Sequence, residues 1–385
     1  MPDRTAATLR GAIAVVGVGT TEQGELLGKS ADEIAVEALG LALADAGLAK
    51  GDIDGLVTCK TFGSTAGVDT RLGALAGLSP RFSSTLEYGT CNFSLHHAAA
   101  AVAAGLATTV ALTYGTNQRS SRERFAGVAD GAERELLAPH GFLNIAGPAA
   151  LAMRRRQHLH GLTEEQLGHV AVVQRRHAAL NPLAVFRDPI TIEDYLESRY
   201  IVRPLRRPDI CMISDGGAAL IVTTPERAAA LPNAPVYLLG AAQEANLRHD
   251  QTPDALLRPW ARPAAERVFA AAGLTRDDVD VLFVQDATSL AVIEALDLYG
   301  FCAPEDIGAF LAEERIALGS DLPVNTNGGQ LSESYMWGWL HLCEAVRQLR
   351  GECGPRQVEG ARVAQYHSSQ GFRKVACSIL GTTVP

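Results

Sequence analysis

Three short segments place residues with catalytic chemistry directly after β-branched runs. The first, Glu87-Tyr88-Gly89-Thr90-Cys91-Asn92, leads into an Ala-rich helical stretch over 95–104. A side chain at such an elbow lies near the unpaired N–H groups of the helix start, which stabilise an anion and depress a thiol's pKa. On that ground Cys91 is either a thiolate nucleophile or an inert buried thiol. The second, Gln285-Asp286-Ala287-Thr288, follows a strand pattern at 281–284. The Gln285 carboxamide suits a water or a carbonyl oxygen, and Asp286 suits either that site or the cap of the next helix. The third, Asn325-Thr326-Asn327-Gly328-Gly329, runs on to Ser332-Glu333-Ser334-Tyr335-Met336-Trp337-Gly338. Paired glycines let backbone approach a ligand closely. Tyr335 is a general acid or base if its pKa lies near neutrality, and otherwise one more amphipathic aromatic.

The elements that must position these segments form a repeat. A strand pattern at 12–18 is followed by helical periodicity over 30–46, with Asp32 and Glu33 in the first turn and Gly47 as the C-terminal cap. A turn and a second strand pattern at 52–57 come next. The run Ala46-Gly47-Leu48-Ala49-Lys50-Gly51-Asp52-Ile53-Asp54 recurs 226 residues on as Ala272-Gly273-Leu274-Thr275-Arg276-Asp277-Asp278-Val279-Asp280. A second echo pairs 95–105 with 340–351, each a helical pattern that ends at glycine. Agreement in order and spacing at two places predicts a duplicated α/β half. The halves are expected at 1–225 and 226–385, with an Arg- and His-rich insertion over about 117–209 acting as a cap. Within it Arg154-Arg155-Arg156, Arg175, Arg176 and His177 read either as solvated helix faces or as a site for a phosphorylated ligand.

Composition removes several functions. The 385 residues carry 34 Lys+Arg and 43 Asp+Glu, a net charge of −9, which argues against broad binding to nucleic acid or an anionic membrane. No apolar run reaches the roughly 18–20 residues of a membrane span, and Asp3 and Arg4 do not suit a signal peptide. Seven cysteines without a CxxC pair or zinc spacing fit reduced thiols in a cytoplasmic protein and predict no structural metal. The Gly-rich nucleotide and phosphate loops and the Gly-x-Ser-x-Gly elbow are absent.

Ser214-Asp215-Gly216-Gly217-Ala218-Ala219, Asn325-x-x-Gly328-Gly329 with Gly338, Arg199-x4-Pro204-Leu205 and Gln174-Arg175-Arg176-His177-Ala178-x-x-Asn181-Pro182 together resemble the thiolase superfamily. The likeness is to its sterol-carrier-protein-x thiolases and lipid-transfer aldolases, and it covers nearly the whole chain. It implies a thiolase fold: two α/β halves, each with a five-stranded sheet, stacked as five α-β-α-β-α layers with an inserted loop domain. It also implies a coenzyme A thioester as substrate with no bound cofactor, a homodimer and, for the aldolases, a small OB-fold and zinc-ribbon partner.

Against that family's pattern the catalytic residues are replaced. Distance to Gly105 puts Tyr88 in the slot of the nucleophilic cysteine, with Cys91 three residues late. Tyr335 stands for the histidine of Gly-Gly-x4-Gly-His-Pro-x-Gly. The C-terminal Cys-x-Gly motif appears as Gln365-Tyr366-His367-Ser368-Ser369-Gln370-Gly371, without its cysteine but with His367. Gln285 holds a position that is Asn or His in thiolases and usually Tyr in the aldolases. The resemblance thereby implies retro-aldol cleavage of a β-hydroxyacyl-CoA with a bulky acyl group, a steroid side chain among the candidates. Tyr335 or His367 is expected to carry the proton, groups near Tyr88 and Gln285 to hold the enolate oxygen, and Asn327, Gly328, Gly329 and Gly371 to line the substrate. The alternatives are acyl transfer through Cys91 and a non-catalytic scaffold, which has no reason to gather Tyr335, Gln285 and His367 in one cavity.

Overall fold

Both halves open with a buried strand and a glycine-capped helix. The computed structural model describes residues 9–60, 67–87, 90–122, 138–142, 144–247 and 253–384. Its strands are β1 (Ala14–Thr20), β2 (Gly55–Cys59), β3 (Phe82–Leu86), β4 (Thr109–Thr116), β5 (Tyr200–Val202), β6 (Leu205–Arg206), β7 (Gly216–Thr223), β8 (Val236–Ala245), β9 (Val281–Val284), β10 (Val363–Gln370) and β11 (Lys374–Gly381). The main helices are α1 (Ala31–Ala46), α2 (Val68–Ala76), α3 (Cys91–Ala103), α4 (Ala146–His160), α5 (Glu164–Ala179), α6 (Arg262–Ala272), α7 (Leu290–Leu298) and α8 (Trp339–Arg350). Helix α1 starts in a Ser30–Glu33 capping box and ends at left-handed Gly47; α6 ends at Gly273 with the same φ of 65°. Each is followed by a 3-10 turn, in which Asp52 accepts from the Ala49 N–H and Asp278 from the Thr275 N–H.

Strand pairing repeats in the same way. The first half runs β3-β2-β4-β7-β1, with two parallel pairings and then two antiparallel ones. In the second half Val324 bridges Leu282 in parallel, β9 pairs β10 in parallel, and β10–β11 and β11–β8 are antiparallel. The fifth strand of that half is reduced to one bridge because Pro323, beside Val324, has no N–H to extend a ladder. β1 meets β8 at Ala14 and Val15, so the two half-sheets join into one nine-stranded sheet.

Helix packing gives the expected layers. α1 covers β1, β4 and β7, α6 covers β8 and β11, and α3 and α8 lie between, each touching strands of both halves. Alanine and glycine permit that spacing: a β-carbon on Gly19 would overlap α1 backbone, and one on Gly240 would overlap α6. The inserted segment between β4 and β7 holds α4, α5, the short helix Ile192–Glu197 and the β5–β6 hairpin. No described helix is long and apolar enough to cross a membrane, and all seven cysteines are free.

Three core histidines give the fold an acid limit. Burial holds His96 and His177 neutral with pKa values of about 4, and His367 at about 3. A histidine depressed in the folded state contributes stability above its ordinary value of 6.5, and that stability is lost as pH falls and the unfolded chain takes up protons first. The unfolding midpoint is therefore expected to drop steadily from pH 6.5 towards 4, as thermal melts across that window would show.

Candidate active site

Four segments meet where the central helices begin. Thr90, the cap of α3, places its Oγ1 2.8 Å from Ser368 Oγ on β10. Just past β9, the Gln285 N–H donates to the His367 carbonyl at 2.9 Å, and Gln285 Oε1 accepts from the Ser369 N–H at 3.0 Å. The carboxamide is thus fixed through its oxygen, and among the described residues no acceptor meets its Nε2. The Asn325 side chain bonds both main-chain groups of Val284, tying the glycine-rich loop to β9. The Tyr335 N–H donates to Ser214 Oγ at 2.9 Å, and Ser334 Oγ lies 2.7 Å from the same hydroxyl.

The turn after Tyr335 is strained. Trp337 has φ 51° and Gly338 φ 77°, a left-handed pair in which the tryptophan, unlike glycine, costs about 1–3 kcal/mol. The Trp337 ring lies 6.3 Å from that of Tyr335. A methyl on Gly338 would overlap Tyr366 Oη and lie 3.3 Å from Gln285 Cγ. Gln285, Tyr366 and the turn carrying Tyr335 therefore border one another.

Other expected residues go elsewhere. His367 does not join Tyr335 and Gln285: directly paired strand residues share a face, and its partner Cys377 belongs to the outer core under α6. Its Nδ1 lies 2.8 Å from Tyr299 Oη on that side. Tyr366, one residue earlier, faces the central layer and stacks on His341 of α8 at 5.9 Å. Cys91 is wholly buried, and burial first, then Cys343 and Cys59, pushes its thiol well above the ordinary value. The helix start does not outweigh that desolvation, so Cys91 is a core thiol. Iodoacetamide is expected to leave Cys91 unmodified in the native protein, and rapid selective labelling by mass spectrometry would reverse the assignment. Tyr88 lies outside the described residues.

The glycine-rich loop also differs from its expectation. A β-carbon on Gly328 would meet Ala178 of α5, and one on Gly329 would overlap Asp286 and Gln174, so both glycines admit protein rather than ligand. Asn327 is fully buried with its amide on Glu333, and Gly371 is a turn glycine with open space beside it. The Arg cluster divides as well: Arg156 is a buried partner of Asp297 at 2.9 Å, Arg155 pairs with Asp254 and Arg176 with Glu314.

Arg154 bonds Gln157 on its own helix, whereas Arg175 helps line a cavity of about 820 Å³. Arg119, Arg122, Arg199 and Arg207 share its wall with Phe186, Ile190, Ile210, Met212 and Leu331. Burial lowers the pKa of Arg175; Asp188 opposes this and the neighbouring charge of Arg207 adds to it. Among the described residues Arg175, Arg199 and Arg207 have no carboxylate at ion-pair distance. Apolar walls with several unpaired guanidinium groups suit an anionic, partly apolar ligand such as a nucleotide thioester. The cavity runs along Cys211–Ile213 and Leu331, beside the segments that hold Ser214 and Tyr335.

Sequence reasoning named Asp286 but missed its partner His341, and it gave Glu333 no role. Asp286 is fully buried, lies 2.9 Å from His341 Nε2 and accepts from the Gln330 N–H at 2.8 Å. Glu333 is buried, and burial with the like charge of Glu344 pushes its carboxyl up to about 7 against two amide hydrogen bonds. A single acid between Ser332 and Ser334, just after a glycine-rich loop, was the available signal.

Duplicated half-sheets, two central helices and loops converging at their starts define a thiolase-fold protein. A family model, Thiolase C-terminal domain-like, matches residues 241–382. A steroid side-chain-cleaving aldolase of Thermomonospora curvata is 37% identical over 363 residues, 90% of this chain and 92% of that one. The 17-hydroxy-3-oxo-4-pregnene-20-carboxyl-CoA lyase of Mycobacterium tuberculosis is 36% identical over 359 residues, 89% of this chain and 92% of that one. The solved Ltp2-ChsH2(DUF35) aldolase superposes with a TM-score of 0.87 at 36% identity, over 97% of this chain and 98% of that one. The chain belongs to the thiolase superfamily, in its branch of sterol-carrier-protein thiolases and side-chain aldolases.

Proposed function

We propose that this chain is an acyl-CoA carbon–carbon lyase that cleaves a β-hydroxyacyl-CoA by a retro-aldol reaction. The observation that carries this reading is the arginine-lined cavity beside the loop that ends in Tyr335 and faces Gln285. The cavity would hold the phosphates of coenzyme A, leaving the thioester to reach the strained turn at Trp337–Gly338.

There Tyr335, as its phenolate, would take the β-hydroxyl proton as the Cα–Cβ bond breaks. The bonding pair moves into the thioester as an enolate, whose oxygen the Gln285 Nε2 would hold. The β-carbon leaves as a ketone or aldehyde, and a proton returned to the α-carbon completes a shorter acyl-CoA. No free coenzyme A is consumed, and no thiol is needed, in keeping with a buried Cys91. The names of the two relatives make a ring-bearing acyl group the first class to test.

Two assemblies belong to the same proposal. β3 is a sheet edge with half-exposed residues, beside a cavity of about 450 Å³ lined by Leu86, Phe93, His96 and His97, which supports pairing with a second copy. A small OB-fold and zinc-ribbon protein would be the other partner, on the likeness to the Ltp2-ChsH2(DUF35) aldolase.

Mass spectrometry of products tests the reading, using β-hydroxyacyl-CoAs and β-ketoacyl-CoAs with and without free coenzyme A and that partner. A carbonyl compound and a shorter acyl-CoA from the hydroxy substrates, independent of free coenzyme A, is the expected result. Cleavage of keto substrates that requires coenzyme A would replace it with thiolysis, and no cleavage with the partner present would favour a scaffold.

A further inference from the structure

We propose that Asn181 and Glu333 form a clamp through which occupancy of the arginine cavity places Tyr335; the inference rests on the retro-aldol reading. Two lining residues of the cavity hold the loop directly. Arg175 Nε donates to Ser332 Oγ at 3.0 Å, and the Phe186 N–H donates to the Ser332 carbonyl at 3.0 Å. One residue back, the Val185 N–H donates to the Glu333 carbonyl at 2.9 Å.

The clamp itself is buried. Asn181 Nδ2 donates to the Asn327 carbonyl at 2.9 Å and to Glu333 Oε1 at 2.8 Å, while Asn327 Nδ2 donates to Glu333 Oε2. Asn181, Asn327 and Glu333 are each no more than 5% exposed. Asn181 Oδ1 accepts from the Leu183 N–H, so the turn over 181–186 runs unbroken from the clamp to the cavity wall. On the other side Glu333 is two residues from Tyr335, whose N–H rests on Ser214, and the adjoining Met212 and Ile213 line the same cavity. The inserted segment thus grips the Tyr335 loop from the side that meets the ligand's charged end.

Such an arrangement lets contacts made far from the reacting bond place the reacting group, and small misplacement of that group costs rate rather than affinity. Asn181 and Glu333 are positioning residues on this account. They touch neither thioester nor hydroxyl.

The test compares one β-hydroxyacyl group carried on coenzyme A and on pantetheine, which lacks the nucleotide and its phosphates. The wild-type protein is expected to turn over the pantetheine thioester with a kcat lower by about tenfold or more. In Asn181→Ala and in Glu333→Gln, kcat for the coenzyme A substrate should fall to near the pantetheine level, with KM little changed and the melting temperature checked for each. An equal slowing of both substrates would show a merely structural role and overturn the proposal, as would no slowing.

A second readout does not need turnover: hydrogen exchange of 327–338 with added coenzyme A. Protection gained by the wild type and lost in Asn181→Ala is expected. No protection in the wild type, or equal protection in both, overturns the clamp. Clamp-dependent protection without cleavage would instead overturn the retro-aldol reading alone.

Discussion

Tyr335→Phe is expected to lower turnover of a β-hydroxyacyl-CoA by about 10²–10⁴-fold, the range a positioned acid–base group supplies. The change removes one oxygen and keeps the ring that meets Trp337, so the fold should hold. Phenylalanine keeps the main-chain N–H that donates to Ser214 Oγ and leaves the Ser334 contact with that hydroxyl in place. KM should stay near wild type, because the arginines that would hold the coenzyme A phosphates lie in a separate wall. Steady-state kinetics with a matched thermal melt checks this. Activity that survives removes Tyr335 from the mechanism, while lost activity with a lowered melting point would point to packing instead.

Gln285→Glu should cost about as much for a different reason. Glutamate keeps an oxygen to accept from the Ser369 N–H, so the local hydrogen bond survives. It replaces the amide donor with an acceptor, and at neutral pH it sets a negative charge where the proposed enolate oxygen would form. Loss of one preorganised donor lowers kcat by about 10²–10³-fold, and like-charge repulsion adds to that. Partial recovery at low pH, where the new carboxyl is protonated, would locate the effect at that atom. A variant with wild-type kcat would move the enolate site away from Gln285.

Much of the fold was legible because its signals are local. Gly47 and Gly273 end helices at the same left-handed geometry, and the acidic turns after them close in the same way. Those features are written in consecutive residues, so the duplication could be read without long-range information. The branch-specific stretches near 174–182, 214–219 and 325–338 were legible for the same reason.

The site was legible only in part. Tyr335 and Gln285 could be found as loop residues after strand patterns, and they do border a common turn. His367 and Cys91 carry equally suggestive chemistry and sit at equally suggestive positions. His367 falls on the outer face of β10, where it meets Tyr299, and Cys91 falls inside the layer packed by Cys59 and Cys343. The glycines at 328 and 329 looked like ligand contacts, yet they make room for α5 and Asp286.

The sequence by itself determined that this is a duplicated thiolase-fold chain, with no cysteine in the family's nucleophile slot and with Tyr335 where the family's motif has histidine. Only the tertiary structure decided that Tyr366 rather than His367 faces the central layer, and that Arg119, Arg122, Arg175, Arg199 and Arg207 share one cavity. The first is settled by the register of β10 on β11, since a strand sends alternate residues to opposite faces and one step exchanges core for site. The second depends on how the inserted segment docks, through buried bonds such as Asn181 to Glu333, between residues about 150 positions apart. Periodicity and spacing describe neighbours along the chain, whereas a binding site is made by neighbours across it.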